Sequence, residues 1–345
     1  MLITYNQFFT LFVISYALVG ALTPLMRKIA VSKKIFDKPN SMHKSHTKPI
    51  PYLGGVAIIL GIVITSYLTL FLSPFTANNF WLATSIIAPA IALGVIGLLD
   101  DIKNLDPLPR FIGQSIAGLI ITSILISSGN LGNPTGFLFI DILISVIWIV
   151  GICNSINFFD NLDGGAAGTV AISAVVLTYL ALSTDQSFIA ALSLVIAGST
   201  LGFLIWNKTP ARIYMGDAGA LFLGVLIATL AVRFEPKAES TLGSFATPIL
   251  LLAIPILDTT VAVLSRLRRK ISPFQGGRDH LSHRLVRAGL SRKVAAIVLW
   301  GLTGLFGVFA VLISLPNSSY EVIIVLISLF FWILLFISFF KTNDS

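Results

Sequence analysis

Apolar stretches of about 17 to 20 residues recur along the whole chain, near 8–26, 54–72, 81–99, 111–127, 138–156, 165–182, 187–205, 218–233, 244–265, 294–314 and 322–340. Crossing the hydrocarbon core of a bilayer as a helix takes about 20 such residues. Eleven runs therefore predict an all-α, polytopic integral membrane protein with about eleven transmembrane helices. A β-barrel is disfavoured, because the runs are continuous and do not alternate apolar with polar. Composition agrees: 56% of residues are hydrophobic and 11% charged, against roughly 25% charged in a soluble domain.

The charges fix an orientation. With the N-terminus outside, the loops after odd-numbered runs and the C-terminal tail face the cytoplasm, and they hold 21 of the 23 Lys and Arg residues. Only Arg233 and Lys237 fall on the other side. This obeys the positive-inside rule and predicts N-out, C-in. The net charge of +8 is thereby spread over topology-setting loops that touch lipid phosphates, and does not form a nucleic-acid surface. The first run is expected to stay in place and not to be cleaved as a signal: no Lys or Arg precedes it, and Arg27 and Lys28 follow. No soluble domain, low-complexity tract or clear repeat interrupts residues 1–345, which read as one transmembrane catalytic domain with its site built from cytoplasmic loops. The lone Cys153 lies in an apolar run, where it reads as a small buried residue.

Polar residues collect in those loops. Asp100 and Asp101 end the third run; adjacent acids repel unless a cation sits between them, and capping the next helix is the alternative use. In "NSINFFDNLDGG", Asn154, Asn157, Asp160 and Asp163 recur every three residues, a spacing that on helix shares one face; interhelical polar contacts are the alternative. Gly164 and Gly168 read as close packing of the next span. Asp217 begins the eighth run in "YMGDAG", as a Mg2+ ligand or as an acid favoured by a helix N-terminus. Asn207 and Tyr214 lie nearby, where they could hydrogen-bond and stack a base.

In "RDHLSHRL", His280 and His283 stand among Arg278, Arg284 and Arg287. That set suits a diphosphate better than zinc; a solvated basic loop is the bland reading. Asp258 lies inside the ninth run, either functional, as intramembrane acids tend to be, or paired with Arg266 about two turns on. Walker A, GxSxG and dinucleotide fingerprints are missing. Carboxylates, cations and amides together point to phosphoryl transfer.

These motifs, in order, resemble the polyprenyl-phosphate N-acetylhexosamine-1-phosphate transferases of glycosyltransferase family 4. The resemblance rests on "HTKPIPYLGG" (46–55), "LDD" (99–101), "NSINFFDNLDGGAAG" (154–168), "NKTPARIYMGDAGALFLG" (207–224) and "DHLSHRL" (279–285), and covers nearly the whole chain. It implies transfer of a sugar 1-phosphate from a UDP-N-acetylhexosamine to undecaprenyl or another polyprenyl phosphate, with release of UMP. The cofactor implied is Mg2+, with Mn2+ able to stand in. Carried over, Asp217 is the metal ligand, and Asp100 and Asp101 are catalytic carboxylates near the lipid phosphate. Asn154, Asn157, Asp160 and Asp163 line the nucleotide-sugar site, with Asn207 and Tyr214 on the uracil side. His280, His283 and Arg284 hold diphosphate or sugar, and Lys48 faces phosphate.

The "DHLSHRL" stretch is nearer the GlcNAc-1-phosphate branch, although Ser282 stands where a histidine is common. The muramoyl-pentapeptide branch is the alternative within the family. The expected location is the plasma membrane, and a homodimer is left open. A transporter or flippase is the alternative of another class. Its binding would lie near the bilayer midplane, and Asp258 is the one feature in its favour.

Overall fold

The computed structural model describes residues 5–37, 49–72, 77–103, 105–129, 135–273, 277–315 and 320–341. Among them are thirteen helices: α1 (Tyr5–Ser32), α2 (Gly54–Leu72), α3 (Ala77–Lys103), α4 (Pro107–Ser127), α5 (Leu138–Phe159), α6 (Gly165–Ser183), α7 (Ser187–Asn207), α8 (Gly216–Arg233), α9 (Thr241–Leu251), α10 (Ala253–Arg268), α11 (Leu281–Arg287), α12 (Arg292–Ile313) and α13 (Glu321–Lys341). The remaining regular structure is a two-residue antiparallel hairpin, β1 (Phe36–Asp37) with β2 (Ile50–Pro51), in the register Phe36 to Pro51. Lys48 lies outside the described residues.

The protein is an all-helical, polytopic membrane protein. Among the described residues nine helices are long and apolar enough to cross a membrane, and α2, apolar over Gly54–Leu70, falls just short of that length. The ninth run is not the single span that its hydropathy predicts. It is two helices, α9 and α10, bent by 74° at Leu252. The cause is local. Pro255, one turn into α10, has no N–H to give the carbonyl of Leu251. The hydroxyl of Ser173 on α6 takes that carbonyl instead, at 2.7 Å. Trp332 of α13 donates to the Ala253 carbonyl at 3.1 Å. A break inside an apolar layer persists only where neighbours satisfy the freed backbone in this way.

α8 is the central post. Of its most apolar window 83% is buried, against 17% for α13, so α8 is enclosed by the other helices and α13 lies on the outside of the bundle. α3, α5 and α2 pack directly on α8, while α1 and α6 flank α7. Small residues permit this approach. A Cβ at Gly97 on α3 would lie 2.4 Å from the backbone of Asp217 on α8. The backbones of α3 and the first turn of α8 are therefore in contact at the level of Asp100 and Asp101.

The C-terminal ends of α1, α3, α5, α7 and α10 meet at one end of the bundle with the N-terminal ends of α2, α4, α6, α8 and α12. The joins are visible as hydrogen bonds: Arg27 to the Arg212 carbonyl, Tyr214 N–H to the Pro51 carbonyl, and Asp217 N–H to Asp101. At the other end Glu321 caps α9, accepting from Glu239 and Ser240.

Replacing Gly97 by Ala forces α3 off the first turn of α8, an overpacking of about 1–3 kcal/mol. The melting temperature in detergent is expected to fall on the order of 5 °C. Gly151→Ala, whose added Cβ meets nothing within 4 Å, is expected to leave it unchanged; equal melts for both variants would contradict this packing.

Candidate active site

Two acids and one arginine form the centre. Asp100 and Asp101 occupy the last turn of α3, and Asp217 the first turn of α8. α4 starts at Pro107, a residue suited to a first helical position, and its first turn carries Arg110. The Arg110 guanidinium bridges the two helices: its Nη1 donates to Asp100 Oδ2 at 2.6 Å and also to Asp217 Oδ2. The second oxygen of Asp217 accepts from Asn157 Nδ2 of α5 at 2.9 Å. The second oxygen of Asp100 accepts the Leu105 N–H at 2.5 Å.

Asp101 is used differently. Its two oxygens accept the backbone N–H groups of Asp217 and Ala218 at 2.9 and 3.2 Å. These are donors that the start of α8 leaves without helical partners. Asp101 therefore caps α8 from another helix and holds Asp217 in position. Asp101, a catalytic carboxylate by the resemblance, is engaged in this capping contact.

The polar series in "NSINFFDNLDGG" does not share one helical face. α5 ends at Phe159, Asp160 is its C-cap, and Gly164, with φ of +72°, turns the chain into α6. Asn154 remains on α5 and pairs its amide with Gln114 of α4 at 2.6 Å. Asp163 is buried and committed to the loop after α7: Oδ2 accepts Ala211 N–H at 3.1 Å and Oδ1 the Tyr214 hydroxyl at 3.4 Å. Burial, then Asp163, push the Tyr214 phenol up, so it donates as a neutral hydroxyl. Asp160 is half-buried and makes no side-chain hydrogen bond among the described residues. Burial pushes its carboxyl well above the ordinary range, and the charges of Asp217, Asp101 and Asp163 add to the effect. Of the two acids in this loop, Asp160 is the one left available to a ligand.

Asn207 is also a brace. It is buried, its amide oxygen accepts Gly164 N–H at 3.0 Å, and its amide nitrogen donates to the Ile213 carbonyl at 3.0 Å. Asn207, expected on the uracil side, ties two loops together. Gly164 and Gly168 pack under Trp300 of α12, as their spacing suggests; the indole donates to the Gly164 carbonyl at 3.2 Å.

The basic loop is pinned by a buried charge network. Asp258, fully buried in α10, accepts from His280 Nδ1 and from Leu281 N–H, both at 2.7 Å. Its partner is therefore His280, not Arg266. Arg266 forks onto Asp279 at 2.8 and 2.9 Å, the bidentate geometry of strong charge-assisted pairs. Burial raises the Asp279 carboxyl, but Arg266 outweighs it and holds the group below its ordinary value. Arg266 also reaches His280 Nε2 at 3.2 Å.

Arg284, expected to hold a diphosphate, is wholly buried. It donates to the carbonyls of Asp279 and Phe339, each at 2.8 Å, and to Ser265 at 2.7 Å. It fastens α11 to α10 and α13. Ser282 donates to the Asn161 side chain and joins α11 to the loop after α5. His283 remains at the surface of this platform. Burial lowers its pKa to about 4, His280, Arg278 and Arg287 adding to the fall and Asp258 opposing it.

Beside the acid pair lies an apolar groove of about 410 Å3 between α4, α5 and α10, lined by Phe111, Val146, Ile147, Val150, Thr259 and Val263. It shares Phe111, Asn154 and Phe158 with a small polar recess holding Arg110, Gln114 and Asn157. The bend at Leu252 sets the tilt of α10 along one side of this groove. Sequence reasoning counted Arg110 only as a topology charge and passed over Gln114. The signal was present: two polar residues four apart in an otherwise apolar helix share one face.

Among the described residues no three His, Cys, Asp or Glu side chains converge on a metal position. That leaves an ion that takes only one or two carboxylates and draws its remaining ligands from phosphate and water.

A family model, glycosyl transferase family 4, matches residues 83–235, which span α3 through α8. A probable undecaprenyl-phosphate N-acetylglucosaminyl 1-phosphate transferase of Bacillus subtilis is 35% identical, with 93% of this chain and 88% of that protein covered. A decaprenyl-phosphate N-acetylglucosaminephosphotransferase of Mycobacterium leprae is 33% identical over 79% of this chain and 76% of its own. A phospho-N-acetylmuramoyl-pentapeptide-transferase of Halalkalibacterium halodurans is 27% identical over 87% and 94%.

The lowered His283 pKa has a sign. The unfolded imidazole, near ~6.5, binds a proton before the folded one does, so stability is complete above that pH and is lost as pH falls toward about 4. Allowing for solvent screening, the loss is about 1–2 kcal/mol. His283→Gln is expected to flatten the melting temperature between pH 6.5 and 4 relative to the unsubstituted protein. An unchanged slope would refute the assignment.

Proposed function

The chain belongs to glycosyl transferase family 4, and on that footing we propose that it moves N-acetylglucosamine 1-phosphate from UDP-N-acetylglucosamine to undecaprenyl phosphate, releasing UMP. The product is a polyprenyl-diphosphate sugar, at the first membrane step of cell-wall or surface polysaccharide synthesis. The observation that carries the reading is the apolar groove that shares Phe111, Asn154 and Phe158 with the polar recess lined by Arg110 and Asn157, the partners of Asp100 and Asp217. A polyprenyl tail suits such a groove, and its phosphate would then meet Arg110 and Asn157. The relatives' names favour the N-acetylglucosamine branch over the muramoyl-pentapeptide branch, at 35% against 27% identity.

The topology proposed is eleven spans, with α2 as one and the bent pair α9–α10 as another, in the bacterial plasma membrane. The 21-to-2 charge split supports N-out, C-in, with a cytoplasmic site in one catalytic domain as part of the proposal.

Asp217, with Asp100 facing it, would hold Mg2+; one oxygen of each is already paired with a cation, the Arg110 guanidinium. Bound there, the ion would offset the repulsion between two phosphate anions. The acceptor, with a second phosphate pKa near ~6, is largely ionised at neutral pH, and no general base is required. One of its oxygens attacks the β-phosphorus, the bond from that phosphorus to the bridging oxygen breaks, and the electron pair leaves with UMP.

The chain's own part is positional and electrostatic. Asp101 and Asn157 hold Asp217, Asp160 faces the nucleotide sugar, and His283 adds a neutral imidazole at the rim. Tyr214 and Asp163 support the uracil side through the loop they brace.

A transporter reading loses its one support. Asp258, the intramembrane acid, is committed to His280 and Leu281 and offers no free oxygen to a substrate.

Purified protein given UDP-GlcNAc, Mg2+ and undecaprenyl phosphate is expected to release UMP. No UMP with any UDP-N-acetylhexosamine would sink the enzyme reading. Asp217→Asn is expected to lower kcat by about 10²–10³-fold, as for loss of a group aimed at transition-state charge. The two loop acids are expected to separate: Asp160→Asn raises KM or lowers kcat with an unchanged melting temperature. Asp163→Asn instead lowers the melting temperature by a few degrees, as for about 1–3 kcal/mol from a broken buried hydrogen bond.

A further inference from the structure

The position between Asp100 and Asp217 already holds a positive charge, and the chain itself supplies it. Each carboxylate has one oxygen engaged elsewhere: Asp100 Oδ1 with Leu105 N–H, Asp217 Oδ1 with Asn157. The two oxygens that remain, Asp100 Oδ2 and Asp217 Oδ2, are the pair that Arg110 Nη1 bridges. A divalent ion held by these acids would compete with Arg110 for those two oxygens. The ion and the guanidinium carry the same sign, so they cannot hold those oxygens together.

We propose that Arg110 is a resident counter-cation that a divalent metal must displace, so that metal entry and release of Arg110 are one exchange. This rests on the metal reading of Asp217 given above. Three features support it. Arg110 is on a different helix from either acid, so its long side chain can swing outward without a shift of the α3 or α8 backbone. Its side chain is 26% exposed, which leaves it room to move. The polar recess that it lines with Gln114, Asn154 and Asn157 adjoins the groove mouth, where a released guanidinium would face the anion of an incoming lipid.

Two consequences follow. Without metal, Arg110 screens Asp100 from Asp217 and stabilises the joined ends of α3 and α8. With metal, that same contact is lost, and the apparent metal affinity is lowered by the strength of the contact.

The test uses Mn2+ alone, titrated into detergent-solubilised, nucleotide-free protein and followed by the loss of its free-ion paramagnetic resonance signal. Arg110→Gln is expected to bind Mn2+ about tenfold tighter than the unsubstituted protein, since removal of a charge-assisted competitor of about 1.4 kcal/mol is tenfold in affinity. In EDTA the variant is expected to melt lower, and saturating Mn2+ is expected to raise its melting temperature by more than it raises that of the unsubstituted protein. Should the glutamine variant fail to fold, Arg110→Lys is expected to bind about two- to threefold tighter, because an ammonium lacks the planar fork.

Equal or weaker Mn2+ binding by the folded variant would overturn the proposal while leaving the metal reading intact. Absence of Mn2+ binding by the unsubstituted protein, or binding unaffected by Asp217→Asn, would overturn the metal reading and this proposal with it.

Discussion

The contact between Asp101 and the start of α8 is the join on which the site depends. A helix N-terminus leaves its first N–H groups without helical partners, and at the edge of a bilayer water reaches them poorly. Asp101 satisfies two of them from α3. The charge of the carboxylate also matches the positive end of the α8 dipole. Because Gly97 carries no side chain, the two backbones come close enough for this to happen. The same contact aims Asp217 at Asp100 and so defines where a cation can be held.

The surrounding loops repeat this logic with weaker bonds. Asn207 and Asp163 tie the loop after α5 to the loop after α7. Ser282 ties α11 to Asn161, and Asp258 ties α11 to α10 through His280. Among the described residues most of the conspicuous polar side chains therefore bond to protein, which leaves few of them for a ligand: Asp160, His283, and the pair Asp100 and Asp217 with Arg110 between them. Buried polar groups must be paired, and in a chain with so few of them much of the inventory goes into bracing. The bend at Leu252 belongs to the same account, since it survives through Ser173 and Trp332 and gives α10 its place along the apolar groove.

Much of the fold was legible in the sequence, because hydropathy acts locally. Ten of the eleven apolar runs correspond to single helices within a few residues. The exception, 244–265, hid its break because a hydropathy window does not register that Pro255 withholds one N–H. The loops that would meet were also legible, because charge asymmetry sorts them to one side. Partner choice was less so. The three-residue spacing from Asn154 to Asp163 suggested one face, but α5 ends at Phe159 and Gly164 turns the chain, so the four residues point to separate tasks. Arg110 was hidden for the opposite reason: one arginine after an acidic pair looks like any positive-inside charge until Asp217, 107 residues away in sequence, is brought beside it.

The sequence by itself determined that this chain is a membrane bundle, which loops gather, and that acids, amides and cations for phosphate chemistry gather with them. Those properties follow from transfer of single residues between water and lipid, and need no knowledge of neighbours. The tertiary structure decided which acid caps a helix, which braces a loop and which is left for a ligand. A hydrogen bond depends on the position of both its partners, and only the packed chain brings Asp101 to α8, His280 to Asp258 and Arg110 to Asp217.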